Sequence, residues 1–88
     1  MNKQQRIADN NQIRTKVAKN KNTSPSTLEI LATDECWAVR RAVAGNRYTS
    51  VTALEILATD ECCHVREALA DNVDTPTSIL DMLATFSK

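Results

Sequence analysis

Apolar residues recur along the chain with two spacings, and both predict helices. In the first pattern they fall at i, i+3, i+6 and i+7, which places them on one stripe of an α-helix. In the second pattern an extra apolar residue covers a further side, as expected for a helix held between two neighbours. Examples of the first are Cys36, Val39, Ala42, Val43 and Cys62, Val65, Ala68, Leu69; examples of the second are Leu28, Ile30, Leu31, Ala32 and Leu54, Ile56, Leu57, Ala58. No strand-like alternation is present, so the pattern predicts an all-α fold.

Polar residues mark where these helices begin and end. Asp34 and Asp60 are predicted N-caps of the first kind of helix, because a carboxylate can accept from the free amides of the first turn. Asparagine tolerates the left-handed conformation that often ends a helix, and the three predicted ends are Asn20, Asn46 and Asn72. The second kind is predicted to begin at Ser24-Pro25, Ser50-Val51 and Thr75-Pro76, since proline in the first turn loses no hydrogen bond.

The two patterns alternate in a repeat of 26 residues. Residues 17–42 and 43–68 share 17 identical positions of 26, including an unbroken match from Leu28 to Cys36 with Leu54 to Cys62. A third, partial unit covers residues 69–88, and residues 1–16 hold an N-terminal cap and a partial unit. Helices of two to three turns are not stable alone, so the units must stack on one another. The sequence therefore predicts one domain, a short right-handed helical solenoid of about three units without a β-sheet.

One unit carries the residues of a known repeat family. The motif is Val39-Arg40-x-x-Val43-Ala44-x-Asn46-x-x-Thr49, followed by Leu54-x-x-Leu57-Ala58-x-Asp60. It resembles the leucine-rich repeat variant family over about residues 13–86, with Ser50 where that family has proline. The resemblance implies a solenoid that alternates α-helix with a shorter, 3₁₀-like helix. It implies no shared enzymatic activity, and the cysteine-rich iron–sulfur segment of some members has no counterpart before Cys36.

Composition narrows the classes of function. The 88 residues contain 11 Lys and Arg against 11 Asp and Glu, so the chain has no general attraction for polyanions. The charges are divided unevenly, because residues 1–29 carry six basic residues and two acidic residues. No apolar run reaches the length of a membrane span, and the polar N-terminus does not match a secretory signal. We therefore expect a cytoplasmic protein with no membrane association.

Several side chains are candidates for binding. Arg14, Arg40 and Arg66 share one position of the unit, and they either grip an acidic partner or tie consecutive units together. Trp37 either closes the core from the side, with a cation–π contact to Arg41, or anchors a partner. The candidate partner-binding residues are Trp37, Arg40, Arg41, Arg47, Tyr48 and Arg66.

The cysteines offer little chemistry. Cys62, Cys63 and His64 are adjacent, but neighbouring helical residues point about 100° apart and would not converge on one metal ion. We expect no catalytic residues, no metal and no cofactor, and free cysteines that act as small apolar side chains.

The expected function is a non-enzymatic protein–protein interaction module. The alternative is a nucleic-acid accessory binder, which is disfavoured by the neutral charge and would use Lys16, Lys19, Arg40, Arg41, Arg47 and Arg66. The C-terminal helix is apolar and has no polar capping unit, so we also expect self-association through this end. The residues predicted to form that contact are Ile79, Met82, Leu83 and Phe86.

Overall fold

Each unit folds as a pair of short helices. A computed structural model describes residues 3–87, with side chains from Asn10 onward. Its elements are α1 (Lys3–Lys19), α2 (Pro25–Leu31), α3 (Trp37–Gly45), α4 (Val51–Leu57), α5 (Cys63–Asp71) and α6 (Thr77–Phe86). The described residues contain no strand, which confirms the all-α prediction. Met1, Asn2 and Lys88 of the predicted terminal segments lie outside them.

The helices form two layers. Helices α1, α3 and α5 pack side by side in that order and make the most extensive contacts of the fold. Helices α2 and α4 contact each other and the first layer, and α6 packs on α5. The molecule measures 44 × 29 × 17 Å along its principal axes. The predicted boundary between the N-terminal cap and the first unit falls inside α1, and the right-handed solenoid itself stays a prediction.

The core follows the sequence repeat. Val39 and Val65 are fully buried, as are Val43 and Leu69 one turn later. The shorter helices contribute Leu28, Leu31, Leu54 and Leu57, whose exposed fractions are at most 8%. The prediction that these helices are covered on more than one side is wrong for Ile30 and Ile56, which are 72% and 43% exposed. Only one stripe of each short helix is therefore buried in the stack.

The predicted N-caps of the longer helices are wrong by two residues. Helices α3 and α5 begin after Cys36 and Cys62, and neither cap side chain makes a capping hydrogen bond. Instead, Asp34 and Asp60 each accept from the amide two residues ahead, at 2.9 Å, and so fix the turn before the helix. Aspartate favours such turns as well as N-caps, which explains the error.

The C-caps are predicted correctly in position but not in conformation. Asn46 and Asn72 follow the last residues of α3 and α5, yet their backbones are extended, and no non-glycine residue in the described chain has a positive φ. The implied 3₁₀-like character is also corrected, because α2 and α4 are α-helices. Hydrogen bonds to the residue three positions earlier occur where these helices end, as from the Asp34 amide to the Leu31 oxygen at 3.1 Å.

The starts of the shorter helices match in two cases out of three. Ser24 and Ser50 cap α2 and α4, each accepting from a first-turn amide at 3.3 Å. In α6 the N-cap is Pro76 and not Thr75. Thr75 instead donates from its hydroxyl to the Leu69 oxygen at 2.7 Å, as Thr49 does to the Val43 oxygen. A threonine in this position binds the end of the preceding helix, so the short helix starts one residue later.

Candidate interaction surface

Two guanidinium–carboxylate pairs tie consecutive units together. The Arg40 Nε lies 2.7 Å from Asp60 Oδ2, and its Nη2 lies 3.3 Å from the other carboxylate oxygen. The Arg40 Nη1 also donates to the Asp34 backbone oxygen at 2.7 Å. Arg14 repeats the two-point contact with Asp34 at 2.6 and 3.2 Å. These two arginines therefore hold the stack, as in the structural alternative drawn from the sequence.

The ion pairs shift the pKa values of Asp34 and Arg40. Burial opposes ionisation of Asp34, but hydrogen bonds from Arg14 and from the Cys36 amide outweigh it, so the pKa of Asp34 lies below its usual value. The hydrogen bond to Asp60 raises the pKa of Arg40. Asp34 is consequently an ionised partner that belongs to the fold and is not a candidate acid or base.

A second set of bonds repeats through the asparagines. The Asn46 Nδ2 donates to the Ala18 and Asn20 backbone oxygens at 2.8 and 3.2 Å, across the contact between α1 and α3. The Asn72 Nδ2 does the same to the Ala44 and Asn46 oxygens, at 2.9 and 3.2 Å. Asn46 therefore joins the end of α3 to the end of α1, and Asn72 joins the end of α5 to the end of α3. The same bonds thus recur with the 26-residue step of the sequence.

The last arginine of this series has a different partner. Arg66 donates from Nη1 to the Asp60 backbone oxygen at 2.5 Å, as Arg40 does to Asp34. In place of a carboxylate, its guanidinium lies over the Phe86 ring at 5.2 Å and its Nε donates to the Ser87 hydroxyl at 3.1 Å. Phe86 occupies the position of Asp34 and Asp60 in the repeat. The π face of the Phe86 ring thus contacts the Arg66 guanidinium at the place where the other units have a carboxylate.

The C-terminal end of the stack exposes residues that the inner units bury. Leu80 is 39% exposed, whereas its counterparts Leu28 and Leu54 are 0% and 3% exposed. Ala70 and Ala84 are also exposed, and their counterparts in the preceding units are buried. With Arg66 these three residues line a groove of about 490 Å³ between α5 and α6. We call Arg66, Ala70, Leu80 and Ala84 the C-terminal face.

The residues predicted for this end are partly misplaced. Ile79 and Leu83 are 1% and 6% exposed, so both belong mainly to the core, although Leu83 also lines the groove between α5 and α6. Met82 and Phe86 are exposed, at 38% and 47%, and line a separate shallow groove beside Thr59. Leu80 and not Ile79 is therefore the exposed apolar residue on this side of α6, and self-association through this end stays a prediction.

The N-terminal end of the stack shows the converse. Ile13 and Val17 are 61% and 37% exposed, although their counterparts in α3 and α5 are fully buried. Asn20 is exposed as well, while Asn46 is only 7% exposed. Ile13, Val17 and Asn20 form what we call the N-terminal face. The counterparts of this face in α3 and α5 are two buried aliphatic residues and the asparagine that bonds to the preceding unit.

The remaining candidate residues lie along the side of the stack. The Trp37 ring is 44% exposed and packs against His64 of the next unit, with ring centroids 5.3 Å apart. Arg41, its predicted cation–π partner, instead lines a groove of about 410 Å³ with Lys19 and Gly45. Trp37 therefore forms a contact between α3 and α5 while a large part of its surface stays exposed.

The loop candidates do not join the other side chains in one site. Arg47 pairs with Asp74 at 2.9 Å on the surface, and the hydrogen bond that Arg47 donates to the Asp74 carboxylate raises the pKa of Arg47. Tyr48 is 57% exposed. Since Arg40 and Arg47 are both paired with carboxylates, the nucleic-acid alternative retains mainly Lys16, Lys19 and Arg41 as exposed cations.

All three cysteines are free thiols. Cys36 and Cys62 are half-buried against the core, Cys63 is exposed, and none forms a disulfide. Within residues 3–87 no three His, Cys, Asp or Glu side chains are grouped as a metal site would require. No helix in the same range is both long enough and apolar enough to span a membrane.

Comparisons of the chain with protein-family models, with curated proteins and with solved structures found no match.

Sequence reasoning missed Leu80, Ala84, Ile13 and Val17 as surface residues. The signal was present in the repeat, since each aligns with a buried position of an inner unit. What was lacking was knowledge of which side of a unit meets the next. The Trp37–His64 contact had no signal in the sequence, because it depends on how α3 and α5 cross.

Proposed function

We propose that the chain is a non-enzymatic protein–protein interaction module that binds its partner through the C-terminal face. The observation that carries this proposal is the change at one repeat position, from Leu54 at 3% exposed to Leu80 at 39% exposed. The inner units bury this position, so the face has the polarity of a surface that a further unit covers. The resemblance to leucine-rich repeat variants supports a binding role over a catalytic one.

The setting that fits this role is the cytoplasm. All three cysteines are unpaired, and one of them, Cys63, is exposed. A reducing compartment keeps such thiols from forming disulfides.

Site-specific photo-crosslinking tests the proposal in the cells that produce the protein. A benzophenone amino acid replaces Ala84 on the C-terminal face or, as the control, Thr52. Thr52 is exposed together with its counterparts Ser26 and Ser78, so no unit covers that position. We expect covalent protein adducts from position 84 that disappear when Leu80→Glu is added. Equal adduct yields from positions 84 and 52 would overturn the proposal.

A further inference from the structure

We infer that the C-terminal face binds the N-terminal face of a second copy of this chain, so that the copies join head to tail in the register of the repeat. This inference rests on the proposed function and names its partner. It follows from three observations: the two faces are halves of an interface that the chain already makes twice, their hydrogen-bonding groups match, and their charges are opposite.

The apolar parts of the two faces are the two sides of one interface. Inside the chain, α3 and α5 each contact the unit before them, and each buries two aliphatic residues at these positions, as Val65 and Leu69 do in α5. Ile13 and Val17 occupy these positions in α1 and are exposed. A second copy placed one step beyond α5 brings Ile13 and Val17 onto Leu80 and Ala84. Both exposed surfaces would then be buried as their inner counterparts are.

The hydrogen-bonding groups match as well. Asn46 and Asn72 each donate to two backbone oxygens at the end of the preceding helix. In the same register, Asn20 of the second copy donates to the Ala70 and Asn72 oxygens of the first. Arg66 needs no carboxylate from the second copy, because Phe86 and Ser87 already engage its guanidinium.

The charges beside the two faces are opposite in sign. Glu67 and Asp71 on α5 line a groove on the side of the molecule together with Arg41 and Gly45 on α3. The counterparts of Glu67 and Asp71 in α1, two repeat steps earlier in the chain, are Thr15 and Lys19. The acidic row on α5 would therefore face the basic end of α1 in the second copy. Such pairs favour head-to-tail approach over tail-to-tail approach, which would place like charges together.

A head-to-tail contact leaves one free face at each end, so it can add further copies or close into a ring. A tail-to-tail contact would stop at two copies. This difference in symmetry provides the test, because each face can be blocked in a separate variant.

The experiment is sedimentation velocity on purified variants of the full chain. Ile13→Glu blocks the N-terminal face and Leu80→Glu blocks the C-terminal face. Ser26→Glu and Ser78→Glu add the same charge at positions that are exposed in every unit. Circular dichroism measures the helix content and melting temperature of all four variants, which we expect to equal those of the wild type.

We expect the wild type and both serine controls to associate, and to associate less as salt is raised. Each face variant alone should sediment as one chain. An equimolar mixture of the two should sediment as two chains and no more, since one good face of each kind remains. The inference is overturned if Ile13→Glu still self-associates, if the mixture stays at one chain, or if the wild type is a single chain throughout its soluble range.

The crosslinking experiment separates this inference from the proposed function. Adducts from position 84 at twice the chain mass support both. Adducts only with other proteins support the proposed function and overturn head-to-tail pairing. Absence of any adduct above the position-52 control overturns both.

Discussion

At the scale of single residues, the same position of the repeat makes different contacts in different units of the chain. Arg40 pairs with Asp60, whereas Arg66 lies over Phe86 because the last unit has an aromatic ring where the others have a carboxylate. The Arg40 pair is nearly buried, with side chains 13% and 7% exposed. Loss of either residue would leave the charge of the other without its ionic partner in a poorly solvated place.

Replacement of Arg40 by alanine should therefore destabilise the fold strongly. We expect the free energy of unfolding to fall by about 2–4 kcal/mol, because the Asp60 carboxylate and the Asp34 oxygen both lose their donor. Arg41→Ala is the matched control, since Arg41 is adjacent and exposed, and it should cost no more than about 0.5 kcal/mol. Urea unfolding followed by circular dichroism measures both. Equal losses in the two variants would show that the Arg40 pair does not hold the units together.

The lowered pKa of Asp34 predicts how stability depends on pH. A carboxyl group with a lowered pKa in the folded state stabilises the fold above its unfolded pKa of about 3.9 and loses that contribution as the pH falls through the folded value. Asp34→Asn should thus be less stable than the wild type near neutral pH, and the gap should narrow as the pH falls from about 5 to about 2. Urea unfolding at a series of pH values measures the gap. A gap that is independent of pH would contradict the assignment.

At the scale of elements, helices of seven to nine residues depend on one buried stripe and on the bonds between units. Leu57 is fully buried on α4, while its neighbour Ile56 is 43% exposed. Asn46 bonds α3 to the end of α1 through two backbone oxygens. The stability of each short helix is thus set by its neighbours and not by its own turns.

Adjacent residues on α4 should differ sharply when truncated. We expect Leu57→Ala to lower the free energy of unfolding by about 2–5 kcal/mol, because it opens a cavity in the core. Ile56→Ala should cost about 1 kcal/mol or less, since much of its side chain is already in water. Denaturant unfolding measures both. A larger loss for Ile56 would mean that α4 buries a different stripe.

Truncation of Asn46 tests the bonds between α1 and α3. Asn46→Ala leaves the Ala18 and Asn20 oxygens without this donor, and we expect a loss of about 1–3 kcal/mol in the free energy of unfolding. Asn22→Ala, at an exposed position, is the control and should lie within about 0.5 kcal/mol of the wild type. A loss for Asn22 as large as that for Asn46 would contradict the bridging role.

At the scale of the whole molecule, the sequence repeat predicted most of the fold. The helical stripes around Val39 and Leu54, the asparagine ends and the serine caps follow from local rules, which depend on nearby residues alone. Errors arose where a side chain has a choice of partners. Asp34 could have capped a helix but binds a turn amide and an arginine 20 residues away. Ile79 was expected at the surface because the side on which α6 meets α5 cannot be obtained from its own sequence.

The most direct test of head-to-tail pairing is an NMR titration. Chain labelled with ¹⁵N and carrying Ile13→Glu, which keeps the C-terminal face, is mixed with unlabelled chain carrying Leu80→Glu, which keeps the N-terminal face. The largest amide shifts should fall at Ala70, Asn72, Leu80 and Ala84 and should be absent when the unlabelled chain carries both substitutions. Shifts confined to the side groove around Arg41, or no shifts at all, would contradict head-to-tail pairing of the two faces.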